Sequence, residues 1–320
     1  MNAPDIGIRH FATALPEQFQ PLEALSTTSN FKTLREFGFD GTWIGDDAGW
    51  LGRIAAERAL LNAALEAQEV DVLFWISALS GNHQCPSSNA DEGSTVLHEF
   101  CYRGSWLQEQ LNMDRATVCG IAQQGCAGMF SALRQARALL LAEPDISNVL
   151  CVGSDVFPPE AEREVLYNLI SDAACACVLS REDIQYRWLG FYQISKGYYW
   201  DVPAKQSEII AAYFPTAVLA IRKVLAQQGL QPTDIDLVIP TGVNRSSWPI
   251  LMRLCGIPES RLFEPVKRFG HTVAADSFLM LEQAKQQGRL RPGMKLLLFA
   301  YGFGSSWSAL LLETTHLIES

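Results

Sequence analysis

Two residues far apart in the chain have the side-chain types that nucleophilic acyl chemistry needs. Cys126 lies in QQGCAGMFSAL and His271 lies in FGHTVAADSF. A thiol attacks thioester carbonyls well once deprotonated, and a neighbouring imidazole can take its proton and later return it to a leaving group. A sulfur at a helix start also faces the positive end of the peptide dipoles. Gly125, Ala127 and Gly128 strip bulk from around the sulfur, which permits a sharp turn and close substrate approach. The other seven cysteines, at 85, 101, 119, 151, 175, 177 and 255, sit mostly in apolar stretches, and most are expected to be small core residues. Cys175 and Cys177 alternate in DAACACVLS and should share one strand face. With no CxxC spacing and no nearby histidine pair, no metal site is expected. His10, His83, His98 and His316 lack the small-residue setting of His271 and are expected at structural or surface positions.

The elements that would bring Cys126 and His271 together follow an internal repeat. Residues 53–68 have the apolar spacing of a helix and lead to a strand at 70–79; residues 214–230 and 237–242 repeat that pair. Residues 125–144 open with small residues, become a helix and lead to a strand at 148–157; residues 270–293 and 294–302 do the same. Alternating helices and apolar strands predict a parallel sheet covered on both faces. Two such halves, 1–182 and 183–320, would build a five-layered αβαβα body with Cys126 and His271 at equivalent helix starts near the pseudo-two-fold axis. Residues 183–213 interrupt the repeat, contributing a strand and a flap rich in aromatic residues, expected as core and interface packing, with a pocket wall for a hydrophobic or aromatic acyl chain as the alternative.

Composition narrows the class. The chain has 320 residues, 48% hydrophobic and 19% charged, which suits a large buried core. Its formal charge of −10 and lack of a basic run argue against binding to nucleic acid or anionic membrane. No signal peptide is visible at MNAPDIGIRHF and no uninterrupted apolar run reaches ~18 residues. The expectation is a soluble, cytoplasmic protein.

QQGCAGMFSAL resembles the nucleophile segment of ketoacyl-ACP synthase III enzymes, and VLCVGSDVF, SDAACACVLS, DLVIPTGVN, FGHTVAADSF and LFAYGFGSSWSALLLE resemble further family segments in the family's order. The resemblance covers nearly the whole chain and implies a thiolase-like fold. The family uses Cys, His and Asn. Cys126 matches the cysteine, Thr241 stands where the family has His, and His271 stands where it has Asn. A threonine has no imidazole to help hold the enolate formed when a malonyl group loses carbon dioxide, so ordinary fatty-acid elongation is not expected. The resemblance further implies an oxyanion hole from the backbone amides of Cys126 and Phe303. It places Asn244 and Arg245 on the pantetheine or carrier side, with Lys267 and Arg268 close to the active-site loop. Asp40 and Pro159 fall where the family binds coenzyme A phosphates through arginines, which points toward a carrier-protein donor.

The expected function is acyl transfer in secondary metabolism through an acyl thioester on Cys126, similar to quinolone-forming condensing enzymes and to acyltransferases acting on oxygen or nitrogen. The phosphopantetheine thioester of an acyl carrier protein or of CoA would be substrate, with no separate cofactor, and a small molecule would accept the acyl group. A homodimer is expected, and a heterodimer remains open. Two other readings compete: a non-catalytic partner subunit, motivated by Thr241, and a cysteine hydrolase that passes the acyl group to water.

Overall fold

The computed structural model describes residues 5–79, 100–266 and 269–319. Cys85, His83, His98, Lys267 and Arg268 lie outside the described residues. In chain order the first half holds β1 (Gly7–Ala14), β2 (Gln18–Pro21), α1 (Phe31–Glu36), β3 (Gly41–Ile44), α2 (Ala48–Asn62) and β4 (Val72–Ile76). It continues with α3 (Arg103–Gln110), β5 (Thr117–Ile121), α4 (Gly128–Ala142), β6 (Asn148–Asp155), β7 (Glu164–Val165), β8 (Asn168–Leu169) and β9 (Ala173–Ser180). Then follow β10 (Tyr186–Ser195), α5 (Gln206–Gln227), β11 (Leu237–Ile239), α6 (Ser247–Cys255), α7 (Asp276–Gln286), β12 (Lys295–Gly302) and β13 (Ser306–Thr314).

Nine strands form one sheet in the order β11-β12-β13-β10-β1-β9-β6-β4-β5. Its two wings meet at β1 and β10 through only two residue pairs, Gly7↔Arg187 and Ile8↔Tyr186. Outward from that junction each wing repeats one pattern. β1·β9 matches β10·β13 and β9·β6 matches β13·β12, all antiparallel, while β6·β4 matches β12·β11, both parallel. The repeat inferred from sequence is therefore real, but the expected all-parallel sheet is not. Only the outer strands run parallel. The three residues between β12 and β13 can only reverse the chain, because a parallel connection needs a crossover of a dozen residues or more. The 183–213 segment also proves to be part of the repeat: β10 is the counterpart of β1. Helix α5 begins at Gln206 and carries Pro215 in its interior, so the proline does not mark the start expected at 214.

Three apolar clusters define the layers. Residues of α4 and α7 pack between the inner faces of both wings, among them Met129, Phe130, Leu133, Phe278 and Leu281. The outer face of the first wing packs on α2 and on Leu107 of α3. The outer face of the second packs on α5 and α6. This is helix, sheet, helix, sheet, helix, the five-layered arrangement. Helix α5 is long and apolar enough to cross a membrane by length and composition. In the fold it is a core helix, burying Ile209, Ala217, Ala220, Ile221, Val224 and Leu225. Cys175 and Cys177 do share one strand face, pointing into the central layer with Cys151.

His10 on β1 is held low, at about 4, first by partial burial and then by the positive charges of Lys285 and Arg9, which Asp183 only partly offsets. The folded chain thus resists a proton that the unfolded chain accepts near 6.5. Between those values the unfolded state binds more protons, so stability is lost as pH falls from about 6.5 toward 4. We predict that His10→Gln flattens this part of the profile. Urea midpoints at pH 7 and pH 4.5 check it, and an equally steep drop in the variant would count against the assignment.

Candidate active site

Cys126 sits in a 3-10 turn, Gly125–Ala127, that runs directly into α4. The second strand of the site, β12, ends against this turn. A Cβ on Gly302 would lie 1.8 Å from the Gln124 carbonyl oxygen and 2.8 Å from the Cys126 nitrogen, so only glycine allows the two backbones to approach this closely. From the other side, a Cβ on Gly125 (φ +49°) would lie 2.5 Å from the Phe303 nitrogen. The amide-bearing segments of Cys126 and Phe303 are therefore packed together.

His271 reaches the sulfur from the other half of the chain. Its Nε2 lies 3.1 Å from Cys126 Sγ. Its backbone is clamped to the first half: His271 N–H donates to Leu169 (2.8 Å), and its carbonyl accepts from Ser171 N–H (2.9 Å). Beyond it, Val273 takes φ +57°, a left-handed conformation that costs a β-branched residue about 1–3 kcal/mol. The loop tolerates that strain because Asp276, the first residue of α7, braces it. One carboxylate oxygen of Asp276 accepts from Thr272 N–H (2.5 Å) and Thr272 Oγ1 (2.6 Å). The other accepts from Gly242 N–H (2.9 Å) and from His271 Nδ1.

Sulfur, imidazole and carboxylate thus form one line. With Nδ1–H donated to Asp276, Nε2 is the ring nitrogen placed to exchange a proton with the thiol. Burial alone pulls His271 down, but the Asp276 carboxylate on one side and Cys126 on the other outweigh it and hold the ring well above the ordinary histidine range. Cys126 is partly accessible, whereas Cys151, Cys175 and Cys177 are buried. Burial pushes the thiols of those three upward, and that of Cys255 to about 11, leaving them poor nucleophiles.

Sequence reading assigns Asp276 no role, although it lies inside the segment quoted for His271. An acid at the first residue of a helix is equally a response to the helix dipole, so its spacing alone does not separate the two uses. Thr241 is buried beside the loop, and its carbonyl accepts from Trp248 Nε1 (3.3 Å). Among the described residues its hydroxyl makes no hydrogen bond to Cys126 or His271. Asn244 ties its loop to β8 of the first half: its backbone N–H donates to the Asn168 side-chain oxygen, and its own side-chain oxygen accepts from Ser246 N–H. Arg245 is exposed and lines a small cavity with Thr241 and Trp248.

A duplicated five-layered body with a cysteine and a histidine meeting between its halves defines a thiolase-type enzyme. Family models for 3-oxoacyl-[acyl-carrier-protein] synthase III match residues 122–197, and for its C-terminal part residues 225–314. The beta-ketoacyl-[acyl-carrier-protein] synthase III of Syntrophomonas wolfei is 26% identical, with 98% of each chain aligned. The solved structure of ChlB3, an acyltransferase, superposes with a TM-score of 0.82 at 22% identity over 99% of this chain and 100% of its own. The priming beta-ketosynthase of the R1128 polyketide pathway gives 0.78 at 18% identity over 98% of each. The chain belongs to the ketoacyl synthase III-like family of the thiolase superfamily, a family of condensing and acyl-transferring enzymes.

Two substitutions probe this geometry. Asp276→Asn removes the acceptor that fixes the imidazole, and we expect the alkylation rate of Cys126 by iodoacetamide at pH 7, read by peptide mass spectrometry, to fall at least about tenfold. An unchanged rate would remove Asp276 from the arrangement. Gly302→Ala forces the two backbones apart, with an expected stability loss of roughly 1–3 kcal/mol in urea unfolding.

Proposed function

We propose that this enzyme moves an acyl group from a carrier-protein or CoA thioester onto Cys126 and then to an oxygen, nitrogen or carbon nucleophile, in secondary metabolism. The observation that carries the reading is the 3.1 Å contact of Cys126 Sγ with a histidine braced by a buried carboxylate. In the first step His271 takes the thiol proton and the sulfur attacks the thioester carbonyl. The oxyanion of the tetrahedral intermediate is held by the amides of Cys126 and Phe303. Its collapse breaks the old C–S bond, and the imidazolium returns the proton to the departing pantetheine thiol. In the second step His271 takes a proton from the acceptor, the acceptor attacks the acyl carbonyl, and Cys126 leaves as thiolate.

Among these acceptors, oxygen and nitrogen suit the site best. They need one strong base, which His271 with Asp276 supplies, whereas decarboxylative carbon–carbon condensation needs a second nitrogen donor where Thr241 stands. The structural similarity to ChlB3, an acyltransferase, supports that choice. The halves 1–182 and 183–320 each contribute one reacting side chain and so act as a single catalytic unit. The assembled sulfur–imidazole–carboxylate line argues against a non-catalytic partner subunit. Arg245 is the docking residue we assign to the carrier side, with Asn244 shaping its loop. We assign a cytoplasmic, homodimeric enzyme, the dimer formed through the partly exposed and uncharged edge strand β5.

Incubation with acyl thioesters followed by intact mass spectrometry tests the first step: wild type gains one acyl group and Cys126→Ala gains none. Equal labelling of both, or of neither, removes the nucleophile assignment. Carbon dioxide release from a malonyl thioester should be negligible beside transfer. Release at the rate of transfer would reinstate ordinary condensation.

A further inference from the structure

Asp155, the last residue of β6, is a buried carboxylate that the acyl chemistry does not use. Its Oδ1 accepts from Ser77 Oγ (2.9 Å) and Ala78 N–H (2.7 Å), just beyond the end of β4. Ser77 N–H donates in turn to the carbonyl of Ile121 (3.2 Å), the last residue of β5, where the chain turns toward Cys126. Gly153 and Asp155 share one face of β6. A Cβ on Gly153 would lie 3.1 Å from the Ala274 Cβ and 3.7 Å from Met129 Sδ in the first turn of α4. The end of β6 therefore touches the supports of both reacting side chains, the helix that follows Cys126 and the loop that follows His271.

One oxygen of this carboxylate is left over. Oδ2 is buried and makes no hydrogen bond among the described residues. The Ala274 amide nevertheless lies close enough for its dipole to favour the charged form. Ala274 follows the left-handed Val273, and its carbonyl accepts from Cys175 Sγ (3.6 Å). Burial works against the charge and Asp172 adds to it, while Ala78, Ser77 and Ala274 only partly offset them, so Asp155 is pushed up to about 6. Asp172 is itself paired with Arg163, and Cys175 lies within electrostatic reach of both Asp155 and Asp276. His271, bonded to Asp276, is the remaining ionisable group of the loop.

We propose that Asp155 is a positioning residue for Cys126 and His271, acting in its ionised form by drawing the Ala274 amide onto Oδ2. A buried carboxylate oxygen without a partner is costly to keep, and closing this bond removes the cost. The bond ties the strained loop to the strand ends beside Cys126 and so holds the imidazole at the sulfur. The protonated acid has no charge with which to draw the amide, and the loop then loses one of its anchors. This role concerns the sulfur–imidazole contact and is independent of the acyl group or acceptor.

Alkylation of Cys126 by iodoacetamide between pH 5 and pH 8, read by peptide mass spectrometry, tests this role without acyl transfer. At pH 5 wild-type Asp155 is mostly protonated and resembles Asn, so wild type and Asp155→Asn should react within about twofold of each other. At pH 8 wild type should react about tenfold faster. The ratio of the two rates should rise with a single midpoint near 6, and titration of Cys126 and His271 largely cancels in it. A merely structural defect would slow the variant equally at every pH. Ser77→Ala keeps the carboxylate and removes a bond that favours its charge, so the midpoint should move up by about 0.5 in pH. Alkylation near pH 6.5 is then slowed and the pH 8 rate is kept, which decides the matter even where Asp155→Asn does not fold. A ratio constant with pH, or a midpoint that Ser77→Ala leaves in place, overturns the proposal. Failure of Cys126 to load an acyl group would remove the acyl-enzyme reading and leave this test intact.

Discussion

The buried carboxylate of Asp276 is the point on which the rest of the site depends. Its two oxygens are shared among Thr272, Gly242 and His271, so it joins the loop after β11, the loop before α7 and the imidazole. An ionised carboxylate in such a place is costly unless its lone pairs are filled, and here each oxygen accepts two bonds. The same bonds that make the charge tolerable also hold Val273 in a left-handed backbone and orient the ring toward sulfur. Positioning and electrostatics are thus one device.

The opposite side of the sulfur is organised by closeness of backbone. Gly302 and Gly125 let the end of β12 and the turn before α4 come into contact. This brings amide groups from two segments into one place without any side chain, an arrangement suited to a developing oxyanion. The wings then set the scale of the whole: each delivers one loop to the central layer, and the short β1·β10 junction leaves room for α4 and α7 between them.

Reactivity is concentrated by burial elsewhere. Cysteines on β6 and β9 are enclosed in apolar packing that disfavours their charged form, so their thiols serve as small core groups. Cys126 differs by being partly accessible and by facing an imidazole with a raised proton affinity.

Much of this was legible in the chain. The duplicated helix and strand pattern, the small residues around Cys126 and the pairing of that cysteine with His271 follow from periodicity and residue type, because apolar spacing records which face is buried. Strand direction was not legible, since an apolar strand looks the same whichever way its neighbour runs. Asp276 was hidden for a similar reason: a helix-start acid and an imidazole-orienting acid have the same local sequence. The hydrogen-bonded set of Gln124, Gln193 and Ser306 was invisible because these residues are distant in sequence and none is distinctive alone. Local sequence determined which residues could react; only tertiary packing decided which polar atoms would be satisfied and which left free, because hydrogen-bond partners come from strands and loops that meet only in the fold.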